Sequence, residues 1–391
     1  MTLPLKGLRI LDFTTLLPGP YATQLLADMG AEVLRVESPT RPDLIKFMPP
    51  TIGKVSAAHA SVNRNKKSIA IDLKNDKAKE IVEKLLGDYD IVIEQFRPGV
   101  MKRLGLDYDS LKQIQPKLIY CSITGYGQTG PLKDRAGHDI NYLALSGLAS
   151  YSGRKETGPI LSGTQIADIA GGSHHAVMAI QAAIIQRLST GEGQYLDISM
   201  SDTALALTTM FGANALASGN APELGGEMLN GGLFYDYYQT LDGRYLSVGS
   251  LEPAFSTQLL SALGLTEWMG KFSDQRPETQ KEVRTKLTEV FKQQNYTHWV
   301  ELFSALDVCV EPVLTLVEAF NHPHFLARGM VTEAIDSEGR SIPQINTALP
   351  FKNEQVHQAG KTLGADSDEI LRGVGYSADE VNELKKSRCI K

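Results

Sequence analysis

The first half of the chain alternates short apolar runs with amphipathic segments. Pro20 lies near the start of the first amphipathic segment and Gly30 follows its end, as helix-capping preferences favour. Strands are predicted at 8–13, 31–37, 68–73, 90–96 and 117–127, and helices at 20–30 and 77–87. Because a strand–helix–strand succession implies a right-handed parallel crossover, this half predicts an open parallel α/β sheet with helices on both faces.

The pattern changes after about residue 155, where long helical segments dominate. One strand is predicted at 193–200, and the apolar stretch 166–188 predicts a buried helix that is too polar to span a membrane. The glycine-rich stretch 223–232 indicates a linker or a mobile loop. Residues 235–250 predict a β-hairpin turning at Asp242–Gly243, and residues 330–346 predict a second hairpin.

Together these elements predict an α/β fold with a large, open, Rossmann-like parallel-sheet domain and a smaller α+β domain. We place the large domain at 1–200, a linker helix at 201–224, the small domain at 225–328, and a C-terminal segment that returns to the large domain at 329–391.

Composition narrows the classes of function. The 391 residues include 42% hydrophobic and 21% charged residues with a formal net charge of −6, so nothing global points to nucleic acid or a membrane surface. Cys121, Cys309 and Cys389 are far apart and odd in number, which favours reduced thiols over a disulfide framework or a zinc site. The N-terminus lacks a signal-peptide layout. We therefore expect a cytoplasmic protein with no nucleic-acid or membrane partner.

Several familiar cofactor motifs are absent or incomplete. The segment GYGQTG at 125–130 follows a predicted strand, but Pro131 and charged residues come next, where a dinucleotide site needs a helix and a later acid. A glycine-rich turn is the simpler interpretation. No phosphate-binding P-loop sequence occurs, and the histidine pairs at 174–175 and 322–324 lack helical zinc spacing.

Three polar residues occupy positions where chemistry is possible. His138 precedes a helix, Asp168 begins an apolar helix, and Glu252 follows a strand and precedes Pro253. Each also has a local interpretation: a helix-end histidine, a cap or partnered buried acid, and a first-turn acid that complements the helix dipole. Their spacing alone does not show that the three meet.

Several motifs distributed along the chain resemble those of a known protein family. They are LPGPYATQLLADMGAEVLRVESP, NRNKKSIAIDLK, GYGQTGP, GHDINYLALSG, ADIAGG, GEGQYLDISMSD, DGRYLSVGSLEP and HPHFLARGM. From about residue 5 to about residue 350 the sequence resembles the type III CoA-transferase superfamily, which includes formyl-CoA and carnitine CoA-transferases. Within that superfamily it looks most like the α-methylacyl-CoA racemases, because GHDINYLALSG and GSLEP separate racemases from transferases.

The resemblance implies roles for four residues. His138 matches the racemase histidine, Asp168 the aspartate shared by the superfamily, and Glu252 the glutamate that orients the histidine. The amide of Asp139 matches an oxyanion donor. It also implies an interlocked, ring-like homodimer, in which Glu252 reaches the active site of the partner chain.

The resemblance further implies a CoA site in the large domain. Arg97 and Arg103 match positions that contact the nucleotide end of CoA, with Lys66 as a weaker candidate; solvated surface charge is the alternative for all three. Gly137, Asp139 and Tyr142 would line the pocket next to His138. At residues 35–38 the sequence departs from the racemases, because Glu37 and Ser38 follow Arg35 where a second basic residue is common.

The resulting hypothesis is a racemase or epimerase that interconverts (R)- and (S)-2-methyl-branched acyl-CoA thioesters without a metal or a redox cofactor. Proton removal from one face and return to the other require two groups, assigned to His138 and Asp168. Burial would raise the pKa of Asp168. The alternative is a type III CoA-transferase with Asp168 as the nucleophile that forms an acyl-aspartyl anhydride. A third is a CoA-binding scaffold without activity. The sequence does not identify the acyl chain of the substrate.

Overall fold

The described residues form two compact units. The computed structural model describes residues 3–53, 55–274, 276–351 and 356–391. The first unit comprises the residues up to Ser146, Ser162–Thr208 and those from Pro323 onward; the second comprises Gly147–Leu161 and Thr209–His322. This grouping differs from the predicted boundaries in three places. The second unit ends at His322, whereas the small domain was predicted to end at residue 328. Residues 147–161 join the second unit, and the division falls after residue 208, inside the segment predicted as a linker helix.

A six-stranded sheet organises the first unit. Its strands are β1 (Arg9–Asp12), β2 (Glu32–Glu37), β3 (Lys66–Ala70), β4 (Ile91–Glu94), β5 (Ile119–Thr124) and β6 (Gln194–Ser199). They lie in the order β6-β5-β4-β1-β2-β3, and every neighbouring pair is parallel. The predicted parallel sheet is confirmed, and its strand order is that of Rossmann folds.

Both faces of this sheet are buried. Ile10 and Val33 belong to one apolar cluster, whereas their chain neighbours Leu11 and Leu34 belong to another. Because successive side chains of a strand point to opposite faces, the continuous apolar runs reflect burial on both sides.

Helices cover the two faces. The α-helices of the first unit are Pro18–Asp28, Ala57–Val62, Ala78–Leu86, Val100–Leu104, Tyr108–Leu111, Asp139–Leu145, His175–Thr190, Met200–Ala206, Pro323–Ala327, Ser367–Gly373 and Ala378–Lys386. A 3₁₀-helix spans Leu44–Phe47 and a π-helix spans Ala167–His174. In the described ranges, no helix combines the length and apolar composition needed to cross a bilayer.

Smaller sheets complete the first unit. Strands Thr51–Ile52 and Val55–Ser56 pair antiparallel. The predicted hairpin at 330–346 is confirmed as Val331–Ile335 paired with Ser341–Ile345, and His357–Gln358 adds a parallel strand. The end of the chain contributes Cys389 and Ile390 to the apolar cluster on one face of the main sheet.

The second unit is built around an antiparallel sheet of Asp236–Gln239, Tyr245–Val248 and Val310–Pro312. The predicted hairpin turn at Asp242–Gly243 is confirmed, with Gly243 at φ +80°. Helices Thr209–Ser218, Pro253–Ala262, Met269–Phe272, Pro277–Phe291, Tyr296–Ser304 and Leu316–Phe320 belong to this unit, with 3₁₀-helices Leu148–Ser150 and Thr266–Trp268 and a short hairpin of Gly153–Arg154 and Gly158–Pro159.

The apolar stretch 166–188 departs from its prediction. It forms the π-helix Ala167–His174 and the first part of the α-helix His175–Thr190, which buries a stripe that includes Val177 and Ile180. Ile185 and Leu188 are instead exposed, Leu188 to 83%. The prediction of a buried helix is therefore wrong for this face, because periodicity cannot show whether an apolar face is covered.

The π-helix packs closely on its neighbours at two glycines. A Cβ at Gly171 would lie 2.6 Å from the Oγ1 of Thr203, and a Cβ at Gly172 would lie 3.0 Å from the Cβ of Pro18. Thr203 has little freedom to move, since its hydroxyl donates to the carbonyls of Ser199 and Met200 at 3.0 and 3.1 Å. The two glycines therefore set how near the π-helix approaches the rest of the unit.

Gly171→Ala should lower the free energy of unfolding by about 1–3 kcal/mol, because an added methyl group overpacks this contact. Urea titration of the full chain measures the change. Gly373→Ala is the matched control: the same substitution meets open space at the end of a helix and should change stability by less than about 1 kcal/mol. Equal effects of the two substitutions would contradict the packing argument.

Candidate active site

His138 lies at the N-terminal cap of helix Asp139–Leu145. Its backbone is extended, its N–H donates to the Oδ1 of Asn141 at 3.0 Å, and its carbonyl accepts the N–H of Asn141 at 2.8 Å. The side chain of His138 is exposed. The local backbone is therefore fixed while the imidazole stays accessible.

Asp168 lies in the π-helix, a rare geometry that occurs often at functional sites. Its backbone N–H donates to the Oδ1 of Asp139 at 3.1 Å. Asp139 follows His138 directly, so this hydrogen bond joins the turn that carries the imidazole to the segment that carries the carboxyl group. The structure thus brings His138, Asp139 and Asp168 together.

The surroundings of Asp168 change its acidity. Burial and then the negative charge of Asp139 raise the pKa of Asp168 to about 6, while the positive charge of a protonated His138 acts in the opposite direction. The rise expected from burial is present. A carboxyl group with this pKa exchanges protons readily near neutral pH, as a general acid or base must.

Tyr142 supports the turn before His138. It is 5% exposed, its hydroxyl donates to the carbonyl of Gly137 at 2.6 Å, and its ring meets Tyr126 edge-on. A Cβ at Gly137 would lie 2.7 Å from the Tyr142 ring and 2.8 Å from the Tyr126 hydroxyl, so a glycine is needed there. The hydroxyl of Tyr142 is therefore used by the backbone, and the prediction that Tyr142 lines the pocket stays a prediction.

Arg97 precedes the short helix Val100–Leu104, which follows β4, and Arg103 lies in its last turn. Both side chains are exposed. The carbonyl of Arg97 accepts the N–H of Val100 at 3.1 Å, and the N–H of Arg103 donates to Gly99 at 3.1 Å. Both residues follow the C-terminal end of β4 in the chain. Their binding of CoA stays a prediction.

Lys66 is in a different situation. It is 3% exposed, and its ammonium donates to the carbonyl of Pro20 at 2.8 Å, the Oγ1 of Thr23 at 2.7 Å and the Oδ1 of Asn63 at 3.1 Å, near the carboxylate of Asp12. Burial lowers its pKa to about 7. The prediction that Lys66 binds CoA is wrong, because its donors are used inside the unit.

Glu252 belongs to the second unit. It is exposed and precedes helix Pro253–Ala262, where its carbonyl accepts the N–H of Ser256 at 3.0 Å. The preceding loop is anchored, since Gly249 donates its N–H to Cys309 at 2.8 Å and the buried Ser250 hydroxyl donates to the carbonyl of Val308. Its action on His138 stays a prediction.

Comparison with known proteins adds the family. Residues 5–367 match the sequence profile of CoA-transferase family III. The chain belongs to CoA-transferase family III. Human α-methylacyl-CoA racemase is 34% identical over 399 residues, which cover 99% of this chain and 97% of that protein. Human succinyl-CoA:glutarate CoA-transferase is 36% identical over 389 residues, which cover 97% of this chain and 88% of that protein.

A solved structure also resembles this family III chain. The crystal structure of a CaiB/BaiF family protein from Brucella suis matches with a TM-score of 0.83 at 30% identity and covers 96% of this chain and 100% of that one. Racemases and transferases are about equally similar to the chain, so sequence identity does not decide between the two reactions.

In this family III chain, the usual nucleotide position of a Rossmann-like sheet is occupied by the chain's own groups. Dinucleotides bind there at the N-terminus of the helix after β1. In Pro18–Asp28, Pro18 and Pro20 lack an N–H, and the N–H of Gly19 donates to the side chain of Gln95 at 3.1 Å. A Cβ at Gly19 would overlap Thr14. The backbone N–H groups that would bind a phosphate at this position are therefore missing or already used within the protein.

Glu94, at the end of β4, was missed by the sequence analysis. Its carboxylate accepts hydrogen bonds from the Ser122 hydroxyl and, at 2.7 Å, from the N–H of Phe96. Burial raises its pKa to about 7. An acid at the end of an apolar strand gave no distinctive pattern, because Ser122 lies on a different strand.

Glu94 should make stability fall as pH rises. Between the unfolded pKa of about 4.3 and the folded pKa of about 7, the folded chain holds a proton that the unfolded chain has lost, so the slope of unfolding free energy against pH is negative. In urea titrations from pH 5 to 8, the slope of unfolding free energy against pH should be more negative in the wild type than in Glu94→Gln, since Asp168 and Lys66 contribute equally to both proteins.

Glu192→Gln, at an exposed acid, is the matched control and should leave the pH dependence as it is in the wild type. If the slope of unfolding free energy against pH is the same in Glu94→Gln as in the wild type, Glu94 does not hold the buried proton assigned to it.

Proposed function

We propose that this family III protein is a racemase or epimerase of 2-methyl-branched acyl-CoA thioesters. The observation that carries the proposal is the hydrogen bond from the Asp168 N–H to Asp139, which brings the turn of His138 and the carboxyl group of Asp168 to one site. Two proton-transfer groups beside one substrate carbon are the minimum that inversion requires. The resemblance of GHDINYLALSG to racemases also supports it.

The reaction proceeds through an enolate. A neutral His138 imidazole takes the α-proton, the electron pair of the broken C–H bond forms the C=C bond of the enolate, and the carbonyl π pair moves onto the thioester oxygen. A protonated Asp168 then delivers its proton to the opposite face of the α-carbon. In the reverse direction Asp168 is the base and His138 the acid. The raised pKa of Asp168, about 6, supports this alternation because both of its protonation states are accessible near neutral pH.

Other groups would stabilise the enolate, orient His138 and bind CoA. The amide of Asp139, in the first helical turn, is a donor without a partner inside the helix and would bind the enolate oxygen. Glu252 would accept a hydrogen bond from His138 and set the direction of its ring. Arg97 and Arg103 would bind the phosphates of CoA. The reaction uses neither a metal nor a redox cofactor.

A homodimer is part of the proposal. In the first unit, helix His175–Thr190 exposes Met178, Ile185 and Leu188; in the second, helix Thr209–Ser218 buries no residue and exposes Leu216 to 90%. Apolar faces of this kind usually meet a protein partner. A second copy that covers them would supply its Glu252 to the His138 site.

The alternative function is CoA transfer. The 36% identity to a succinyl-CoA:glutarate CoA-transferase favours it. Here a deprotonated Asp168 would attack the thioester carbonyl, release the CoA thiolate and form an acyl-aspartyl anhydride. The CoA thiolate would then attack the aspartyl carbonyl and release the donor as a free acid. A carboxylate acceptor would attack the resulting aspartyl-CoA thioester and expel the thiolate. This thiolate would attack the acceptor's carbonyl in the new anhydride, which gives acceptor-CoA and frees Asp168.

In D₂O, with a chiral 2-methylacyl-CoA and no acceptor acid, the protein should exchange the α-proton and invert configuration. Mass spectrometry and chiral chromatography measure the two events. Release of CoA only after a free acid is added, without α-exchange, would support transfer instead. His138→Ala should lose exchange from one enantiomer and keep part of it from the other, since Asp168 can still remove and return a proton on its own face.

His298→Ala is the matched control, because it removes an exposed imidazole from the second unit and should leave exchange unchanged. Small and equal losses of exchange from both enantiomers in His138→Ala would remove His138 from its role.

Glu252 can be tested by complementation. His138→Ala and Glu252→Ala chains should each be inactive in racemisation, while co-expression of the two should restore about a quarter of wild-type activity. The reason is that about half of the dimers are mixed, and each mixed dimer has one intact site when Glu252 acts across the interface.

Sedimentation should show a dimer of the co-expressed chains. If Glu252 acts within its own chain, a mixed dimer has no intact site, and co-expression restores nothing. That result, obtained with dimers present, would overturn the shared site.

A further inference from the structure

The side-chain carboxylate of Asp139 makes a contact that is separate from the proposed binding of the enolate oxygen by its backbone N–H. Asp139 is the first residue of helix Asp139–Leu145, and its Oδ1 accepts the Asp168 N–H across 29 residues of sequence. A carboxylate is thereby held next to a second, partly buried carboxyl group. Like charges this close disfavour joint ionisation.

Other titratable groups lie on the elements packed around Asp168. Helix Asp139–Leu145 also presents Tyr142, and the chain continuing from Asp168 presents His174 and His175. The packed helices Pro18–Asp28 and Met200–Ala206 carry Tyr21, Asp28 and Asp202, and the packed strand Gln194–Ser199 carries Tyr195 and Asp197. Of all these groups, Asp139 and His138 are the ones whose charges act appreciably on Asp168.

We propose that the carboxylate of Asp139 is a positioning residue: it ties the backbone of Asp168 to the turn that carries His138, and its negative charge retains the single proton that the two bases share. This inference rests on the proposed racemase function. A two-base enzyme works only while the pair holds one proton, because two protons leave no base and none leaves no acid.

The charge of Asp139 therefore sets the working pH range. A fixed negative charge raises the proton affinity of both members of the pair and moves the bell-shaped pH profile upward. Asp139→Asn keeps an acceptor oxygen for the Asp168 N–H but removes the charge. Asp139→Ala removes both.

In Asp139→Asn, the pH profile of kcat/KM for racemisation should move about one pH unit toward acid. The reason is that loss of a negative charge at close range lowers the pKa of a neighbouring group by about that much. The maximal rate should stay within about tenfold of the wild type. Both enantiomers should show the same shift, because the ratio of their kcat/KM values equals the equilibrium constant. Asp139→Ala should show the shift and a further loss of maximal rate, since the hydrogen bond is gone as well.

Asp202→Asn is the matched control. It removes one negative charge from helix Met200–Ala206, which packs against the π-helix, and should leave the profile in place. An unshifted profile in a folded Asp139→Asn protein, or an equal shift in Asp202→Asn, would overturn the inference.

A measurement that does not depend on catalysis separates this inference from the proposed function. The Asp168 carboxyl carbon, followed by ¹³C NMR in wild type and Asp139→Asn, should titrate at lower pH in the variant. If the wild-type protein exchanges no α-proton, the racemase proposal fails, and this titration still decides whether Asp139 retains the proton on Asp168. Coincident titration curves would refute that.

Discussion

Close approach of the π-helix Ala167–His174 to its neighbours is the constraint on which the site depends. Gly171 and Gly172 allow it, because any side chain there would meet Thr203 or Pro18. That approach fixes the backbone of Asp168, which then donates to Asp139. The carboxyl group is thus placed by main-chain geometry, and its own oxygens stay available for chemistry.

The sheet explains why the candidate groups lie away from the usual nucleotide position. A Rossmann-like order normally offers the N-terminus of the helix after β1 to a phosphate. Here prolines, Gln95 and Thr14 fill that position, and the candidate groups lie instead on helix Asp139–Leu145, the π-helix and the loop after β4. The chain shares the strand order of dinucleotide-binding folds but not the free helix N-terminus at which those folds bind phosphate.

The strands and hairpins were predictable because each depends on a local pattern, such as an apolar run or the Asp242–Gly243 turn. His138 and Asp168 were found through motifs, since periodicity does not distinguish them from helix caps. Lys66 was misjudged because its partners Pro20 and Thr23 lie more than 40 residues away, and a basic cluster looks the same whether buried or exposed. The uncovered face of 166–188 was missed for a related reason: coverage is a tertiary property.

The path of the chain between the two units has a practical consequence. The helix that follows His138 ends just before residues 147–161, which belong to the second unit, and the π-helix with Asp168 begins shortly after them. The first unit is thus assembled from three separate stretches of chain. No single cut yields it as a continuous fragment, so the imidazole and the carboxyl group cannot be expressed together without at least part of the second unit between them. Folding of the first unit therefore requires contacts distant in sequence, which slows its formation relative to a locally connected domain of the same size.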